Sequence, residues 1–191
     1  MNINTLWSLR LGFSAKQSSL IQDMGLERFL SASFNAKPST TEPSFLQKVP
    51  KTIEEWKTRR QGMKSMSAEE KKMNQKVNRQ TLMELKGWWV TKMQNERFPL
   101  REKMVVFWHN HFVAASQKVK ASFWIYEHNQ LLRENAFGNF RELTRKMVKN
   151  NAVGNYLDSN DNKKNRINEN LSRELLELFT LGIGNYTETD I

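Results

Sequence analysis

Cysteine is absent from the 191 residues. That excludes disulfides, zinc–thiolate centres and thiol nucleophiles, and it leaves the compartment open. Glycine (8) and proline (4) are scarce, so there is little punctuation for the many short strands of a sheet protein. No run approaches 18 consecutive apolar residues, and no membrane span is expected. The first ten residues, Met1 to Arg10, lack a basic segment leading into a long apolar one. No signal peptide is read there, which makes a cytoplasmic location the default expectation. A Gly-rich phosphate loop and the H-E-x-x-H, G-x-S-x-G and C-x-x-C patterns are missing too, which leaves no ground for nucleotide binding or a serine hydrolase.

What is present is a chain able to fold. Hydrophobic residues make up 38%, with 11 Phe and 6 Trp, enough for a real core in one domain-sized unit. The net charge of +10 invites a nucleic-acid or acidic-partner reading. The excess is local: residues 51–103 hold 14 Lys and Arg against 7 Glu, a net of +7.

Taken in order, residues 3–13 read as a short helix ending at Gly12, with Leu6, Leu9 and Phe13 on its buried side. Ser14 to Phe34 reads as two short helices broken at Gly25. Together these form a small N-terminal helical segment, 1–34. Residues 35–50 are Pro-, Ser- and Thr-rich and read as an extended connection. The main helical domain is expected over 51–191. It opens on a helix from Thr52 that Gly62 should end. Ser67 and Glu70 then form a capping box for a helix to about Asn95. That helix sets Met73, Val77, Leu85, Trp88 and Trp89 against a basic face of Lys71, Lys72, Lys76, Arg79, Lys86 and Lys92. A further helix follows Pro99, with Leu100, Met104, Phe107, Trp108 and His111 on one side. Another begins at Ser122 with a buried stripe of Trp124, His128, Leu131 and Asn135. A helix from Asn139 buries Phe140, Leu143, Met147 and Val148. The last, ending at Gly182, buries Leu171, Leu175, Leu178 and Phe179. The fold class is therefore all-α: an irregular bundle of about seven or eight helices with no substantial sheet.

Every histidine falls in one window: His109, His111 and His128. In a regular helix His109 lies about 160° from His111, so the pair cannot share a metal and His109 is expected to point elsewhere. His111 and His128 each sit on an apolar stripe beside a tryptophan. The bland reading is two core histidines held by hydrogen bonds. The functional reading brings both into one pocket with Trp108, where Glu174 at the edge of the last apolar stripe would serve as a third ligand. His111, His128 and Glu174 are thus the candidate ligands for a divalent metal, or partners in acid–base chemistry. Glu169, Arg173 and Glu177 are spaced as an ion-pair ladder on one helix face, and Glu169 and Arg173 border the same candidate pocket. Asp158, Asn160, Asn162 and Glu169 match the ligand spacing of a calcium loop, but Lys163 stands where that loop needs glycine, so an asparagine-rich turn explains them better.

Several stretches carry a resemblance. Phe107-Trp-His-Asn-His-Phe112, Asn129-Gln-Leu-Leu-Arg133, Ala136-Phe-Gly-Asn-Phe140, Tyr156-Leu-Asp158, Asn168-Glu-Asn-Leu-Ser-Arg-Glu-Leu-Leu-Glu-Leu-Phe-Thr-Leu-Gly182 and Tyr186-Thr-Glu188 resemble the bacterial domain-of-unknown-function 1800 family, as do Leu9-Arg-Leu-Gly-Phe13 and Gly25-Leu26 near the start. The resemblance implies a largely helical bacterial protein of unassigned activity. It implies family members well over twice this length, many of them exported. The chain would then correspond to the N-terminal part, and the missing C-terminal part of the family domain would be a partner for faces exposed here.

Two functions are carried forward. One is a helical domain with a His- and Glu-lined metal-binding or acid–base site. The other is a non-catalytic interaction module whose basic 51–103 face holds an acidic partner or nucleic acid.

Overall fold

The computed structural model describes residues 2–159 and 169–191, and those residues form ten α-helices and no strand. The helices are α1 (Ile3–Leu11), α2 (Ser18–Met24), α3 (Leu26–Asn35), α4 (Ile53–Lys64), α5 (Ala68–Asn95), α6 (Leu100–His111), α7 (Ser122–Glu134), α8 (Phe140–Val148), α9 (Asn151–Tyr156) and α10 (Asn170–Glu174). The all-helical class is as expected, but the count exceeds seven or eight. Part of the difference is α9, whose short Asn-Ala-Val-Gly-Asn-Tyr run has too few apolar residues to show a period. Its start is chemical instead: the Asn150 side chain accepts from the backbone N–H groups of Ala152 and Val153.

The N-terminal helices dock on α6. Lys103 Nζ donates to the carbonyls of Leu9 (2.9 Å) and Gly12 (2.7 Å), and Arg101 Nη2 donates to that of Ala36 (2.8 Å). The expected buried side of α1 is corrected. Leu9 and Phe13 are exposed, and Ser8 is buried, its hydroxyl donating to Ser14 O at 2.7 Å and accepting from Gln17 N–H. Gly12 does end α1, though not as a left-handed cap, since its φ is −142°. It is glycine because Pro99 Cγ would lie 2.7 Å from a Cβ built there. Gly25 does take a positive φ, 80°, which favours glycine, and turns the chain between α2 and α3.

Both α4 and α5 begin with complete capping boxes, Thr52 with Glu55 and Ser67 with Glu70. Gly62 does not end α4, which continues to Lys64; a glycine inside a helix costs only about 1 kcal/mol and stops nothing by itself. The apolar stripe of α5 holds at Leu85 but not at Met73 and Val77, which are 62% and 52% exposed. The 35–50 connection supplies a core residue: Leu46 is buried with Leu85, Val119, Trp124 and Ala152. A second cluster joins Val105, Phe112, Leu132, Leu143, Met147 and Phe179.

The central helix is α7. Trp124, Ile125, Tyr126, His128, Asn129, Gln130, Leu132 and Arg133 are all buried, so it is covered on nearly every side. In α6 the buried face is corrected: Glu102 and Val105 are buried, and Phe107 is 55% exposed. Past α10 the chain makes a π-helical segment, Leu175–Thr180, in which Leu181 N–H reaches back to Leu176 O. The wider turn shifts the helical phase. Phe179 stays buried while Leu178 is exposed. Among the described residues no helix is long and apolar enough to cross a membrane.

Candidate functional site

A helix buried on all sides is usually apolar all round. α7 instead carries His128, Asn129, Gln130 and Arg133 into the core, and each must find a partner there. Arg133 finds Glu102 of α6. The two side chains are 1% and 2% exposed, and the guanidinium grips the carboxylate with both Nε and Nη2, the latter at 2.9 Å. Two of its three remaining N–H groups donate to Gln130 Oε1 (2.8 Å) and Asn129 Oδ1 (2.6 Å). Trp89 Nε1 of α5 donates to Glu102 Oε2 at 3.1 Å, and the guanidinium lies 5.2 Å from the Trp88 ring centre. Gln130 Nε2 donates onward to Ser39 O. One ion pair thus fastens α5, α6, α7 and the 35–50 connection together.

A period of apolar residues carries no sign of this network. The available signal was the polar trio Asn129, Gln130 and Arg133, which share one turn of an otherwise aromatic and aliphatic helix.

The histidines divide differently from the expectation. His128 Nε2 lies 2.8 Å from Phe112 O, and His111 Nε2 lies 3.0 Å from Phe179 O. A carbonyl only accepts, so both rings carry a proton on Nε2. Burial, with a smaller contribution from neighbouring His109, lowers the His128 pKa to about 3, and burial also lowers that of His109. His128 is therefore neutral, and its Nδ1 is a buried lone pair without a partner. The imidazoles that meet are His109 and His128, edge to face at 5.1 Å. His109, expected to point elsewhere, lies between His128 and Trp89, whose ring centre is also 5.1 Å away. His111 sits in an aromatic nest of Trp108, Phe112, Phe140 and Phe179. Trp108 Nε1 is engaged by Ala136 O.

His109 and Asn129 both line a cavity of about 340 Å³ between α5, α7 and the segment after α6. Its walls are mainly apolar, with Leu85, Trp88, Trp89 and Ile125 among them, and exposed Lys86 contributes to the lining. Asn129 is buried, and its Nδ2 has no hydrogen-bond partner. The amide cannot be turned to relieve this. Arg133 is only a donor, so the atom 2.6 Å from it must be the oxygen, and Nδ2 is left as a donor. A buried donor left unmet costs about 1–3 kcal/mol.

The other candidates lie apart from this cavity. Glu174 is half-buried. Arg173 reaches Glu169 at 3.6 Å but pairs with Glu188 through two bonds, at 2.9 and 3.0 Å, and Glu177 accepts from the Tyr186 hydroxyl. Among the described residues no group of three or more His, Asp or Glu side chains is arranged to hold a metal ion; His111, His128 and Glu174 are not brought together in one. Asn160 and Asn162, from the calcium-loop spacing, lie outside the described residues. The basic residues Lys71, Lys72, Lys76, Arg79, Lys86 and Lys92 all lie on α5; Lys72, Lys76, Arg79 and Lys86 are exposed, and Lys71 and Lys92 are half-buried.

Comparison with known proteins shows one family model, described as protein of unknown function (DUF1800), matching residues 6–191. No curated protein matches the chain, and no solved structure does.

Proposed function

The chain belongs to the DUF1800 family, and for this member we propose that the cavity between α5 and α7 binds a small, largely apolar molecule bearing a neutral hydrogen-bond acceptor. The observation that carries this is Asn129 Nδ2, a buried donor with no partner in a residue lining the cavity. A carbonyl oxygen would satisfy it once a small shift of the lining uncovers Nδ2, which solvent does not reach in the ligand-free protein, while Trp88 and Trp89 would flank the body of the ligand. The same ion pair that orients the Asn129 amide also holds both indoles, so little side-chain order remains to be imposed on them when a ligand binds. An acid–base version of the reading would run through His109 on the cavity wall. His111 is less suited, since its Nε2–H is engaged by Phe179 O.

The test is titration with neutral aromatic ketones such as acetophenone, followed by NMR of the indole N–H signals. Saturable shifts at Trp88 and Trp89 are expected. Asn129→Asp keeps the acceptor for Arg133 and removes the donor, and should weaken binding about tenfold, the loss of one hydrogen bond of about 1.4 kcal/mol. Equal affinity in the variant, or shifts confined to other residues, would overturn the reading.

A second reading takes α5 as an interaction surface for an acidic partner or nucleic acid. It is supported by the absence of any ion pair from Lys71, Lys72, Lys76, Arg79, Lys86 and Lys92 to the described residues. Its test is the salt dependence of binding to a polyanion, which must be steep if these cations replace counterions.

A further inference from the structure

The first half of α5 continues the ridge that its second half buries. Met73, Val77, Thr81 and Leu85 follow one another four residues apart, along one side of the helix. Thr81 and Leu85 are covered; Met73 and Val77 are not. α4, which precedes this ridge, buries no residue at all. Between the two helices runs an open groove of about 610 Å³. Phe45, Val49, Pro50 and Val77 supply its apolar lining, and Lys48 and Arg59 its positive charge. Arg59 is half-buried and makes no ion pair with the described residues. The one carboxylate in the lining, Glu55, is engaged by the backbone N–H groups of Lys51 (2.6 Å) and Thr52 (3.3 Å). From Ile53 to Gln80, eight Lys and Arg stand against four Glu, two of which, Glu55 and Glu70, close capping boxes.

We infer that this groove docks an acidic amphipathic segment of a partner protein, its apolar side chains on Val77 and Phe45 and its carboxylates on Arg59 and Lys48. The inference rests on the interaction reading of α5 and narrows it to one site and one class of partner. A protein segment fits better than nucleic acid because phosphates gain nothing from an apolar floor. Single strands also need several open aromatic faces to stack on; the groove lining offers only half-buried Phe45, and the nearby Trp56 is already packed on Trp124, ring centres 5.9 Å apart. A membrane surface fits poorly because it would need apolar side chains on a convex face, whereas Val77 and Phe45 line a groove. An amphipathic segment laid in an apolar groove with cations beside it satisfies both halves of the lining at once.

The experiment uses the full chain and a fluorescently labelled synthetic amphipathic helix with Leu on one face and Glu on its flanks. Its controls are the same peptide with Ser in place of Leu, single-stranded DNA, and phosphatidylserine vesicles. Binding of the Leu–Glu helix is expected to weaken at least tenfold in Arg59→Glu and likewise in Val77→Asp, whose side chain is already exposed and whose change should leave the circular dichroism spectrum unaltered. The pair Lys86→Glu and Lys92→Glu, farther along α5, should change it less than threefold. If Arg59→Glu abolishes binding while Val77→Asp and the Ser–Glu peptide do not weaken it, the groove is overturned and a general polyanion surface remains. Tighter binding of DNA or vesicles than of the peptide, insensitive to Val77→Asp, also overturns it. If no anionic probe binds, both the inference and the interaction reading fall.

Discussion

Arg133 of α7 and Glu102 of α6, 31 positions apart in the chain, form a two-pronged ion pair sealed from solvent. A buried pair gains little over a well-packed apolar pair, but removing one member strands the other charge. Arg133→Met or Glu102→Gln should each lower stability by about 3–5 kcal/mol. The double variant should lose less than the sum of the two. Urea unfolding followed by circular dichroism checks this; additive losses would show that the charges do not depend on each other.

His128 makes stability depend on pH. Its folded pKa, about 3, lies below the ordinary 6.5 of an unfolded chain. Between those values the unfolded state binds the extra proton, so this group's contribution is complete above pH 6.5 and is lost as the pH falls toward 3. Going from pH 7 to pH 4 should cost about 3 kcal/mol through this residue. His128→Gln retains an N–H for Phe112 O and cannot titrate. Its stability profile should be flatter than that of the wild type over this range, whatever its stability at neutral pH. Parallel profiles would mean that the ring takes up its proton over the same pH range in the folded and the unfolded chain.

Two glycines should respond oppositely to a methyl group. At Gly12 a Cβ would meet Pro99 Cγ at 2.7 Å and Ser8 O at 3.1 Å, so Gly12→Ala should destabilise by about 1–3 kcal/mol. At Gly62, inside α4, nothing lies within 4 Å, and Gly62→Ala should stabilise its helix by about 0.5–1 kcal/mol. Thermal unfolding of both variants distinguishes a packing glycine from an incidental one.

His111 is surrounded by aromatic rings and holds one hydrogen bond, to Phe179 O. His111→Phe should therefore cost about 1–2 kcal/mol, the loss of that bond with its carbonyl left unmet. Zinc should shift the unfolding midpoints of the untagged wild type and of this variant equally. A zinc-dependent rise in the wild type that vanishes in the variant would restore His111 as a ligand.

The helical class was legible in the sequence because it depends on local quantities. Scarce glycine and proline, the helix start at Thr52, the capping residue Ser67 and the break at Gly25 act within a few positions of themselves, and each was found in place. The three histidines were legible as a cluster, since proximity along the chain survives any packing. Which of them would meet was not. Helical phase alone separated His109 from His111; it could not say that His109, rather than His111, would face His128 across α6 and α7. Nor could a period of apolar residues reveal that the face of α6 turned inward carries Glu102, because a charged carboxylate is buried only with a partner, and here the partner is an arginine from another helix. Met73 and Val77 illustrate the converse. Their apolar character and spacing are written in the chain, but whether such a stripe is covered depends on which other helix lies against it, and along the first half of α5 none of the described residues does so fully. The sequence by itself therefore determined the elements and their capping, which short-range backbone chemistry controls. Only the tertiary structure decided the partners of Arg133, His109 and Asn129, because burial and pairing are properties of two segments at once.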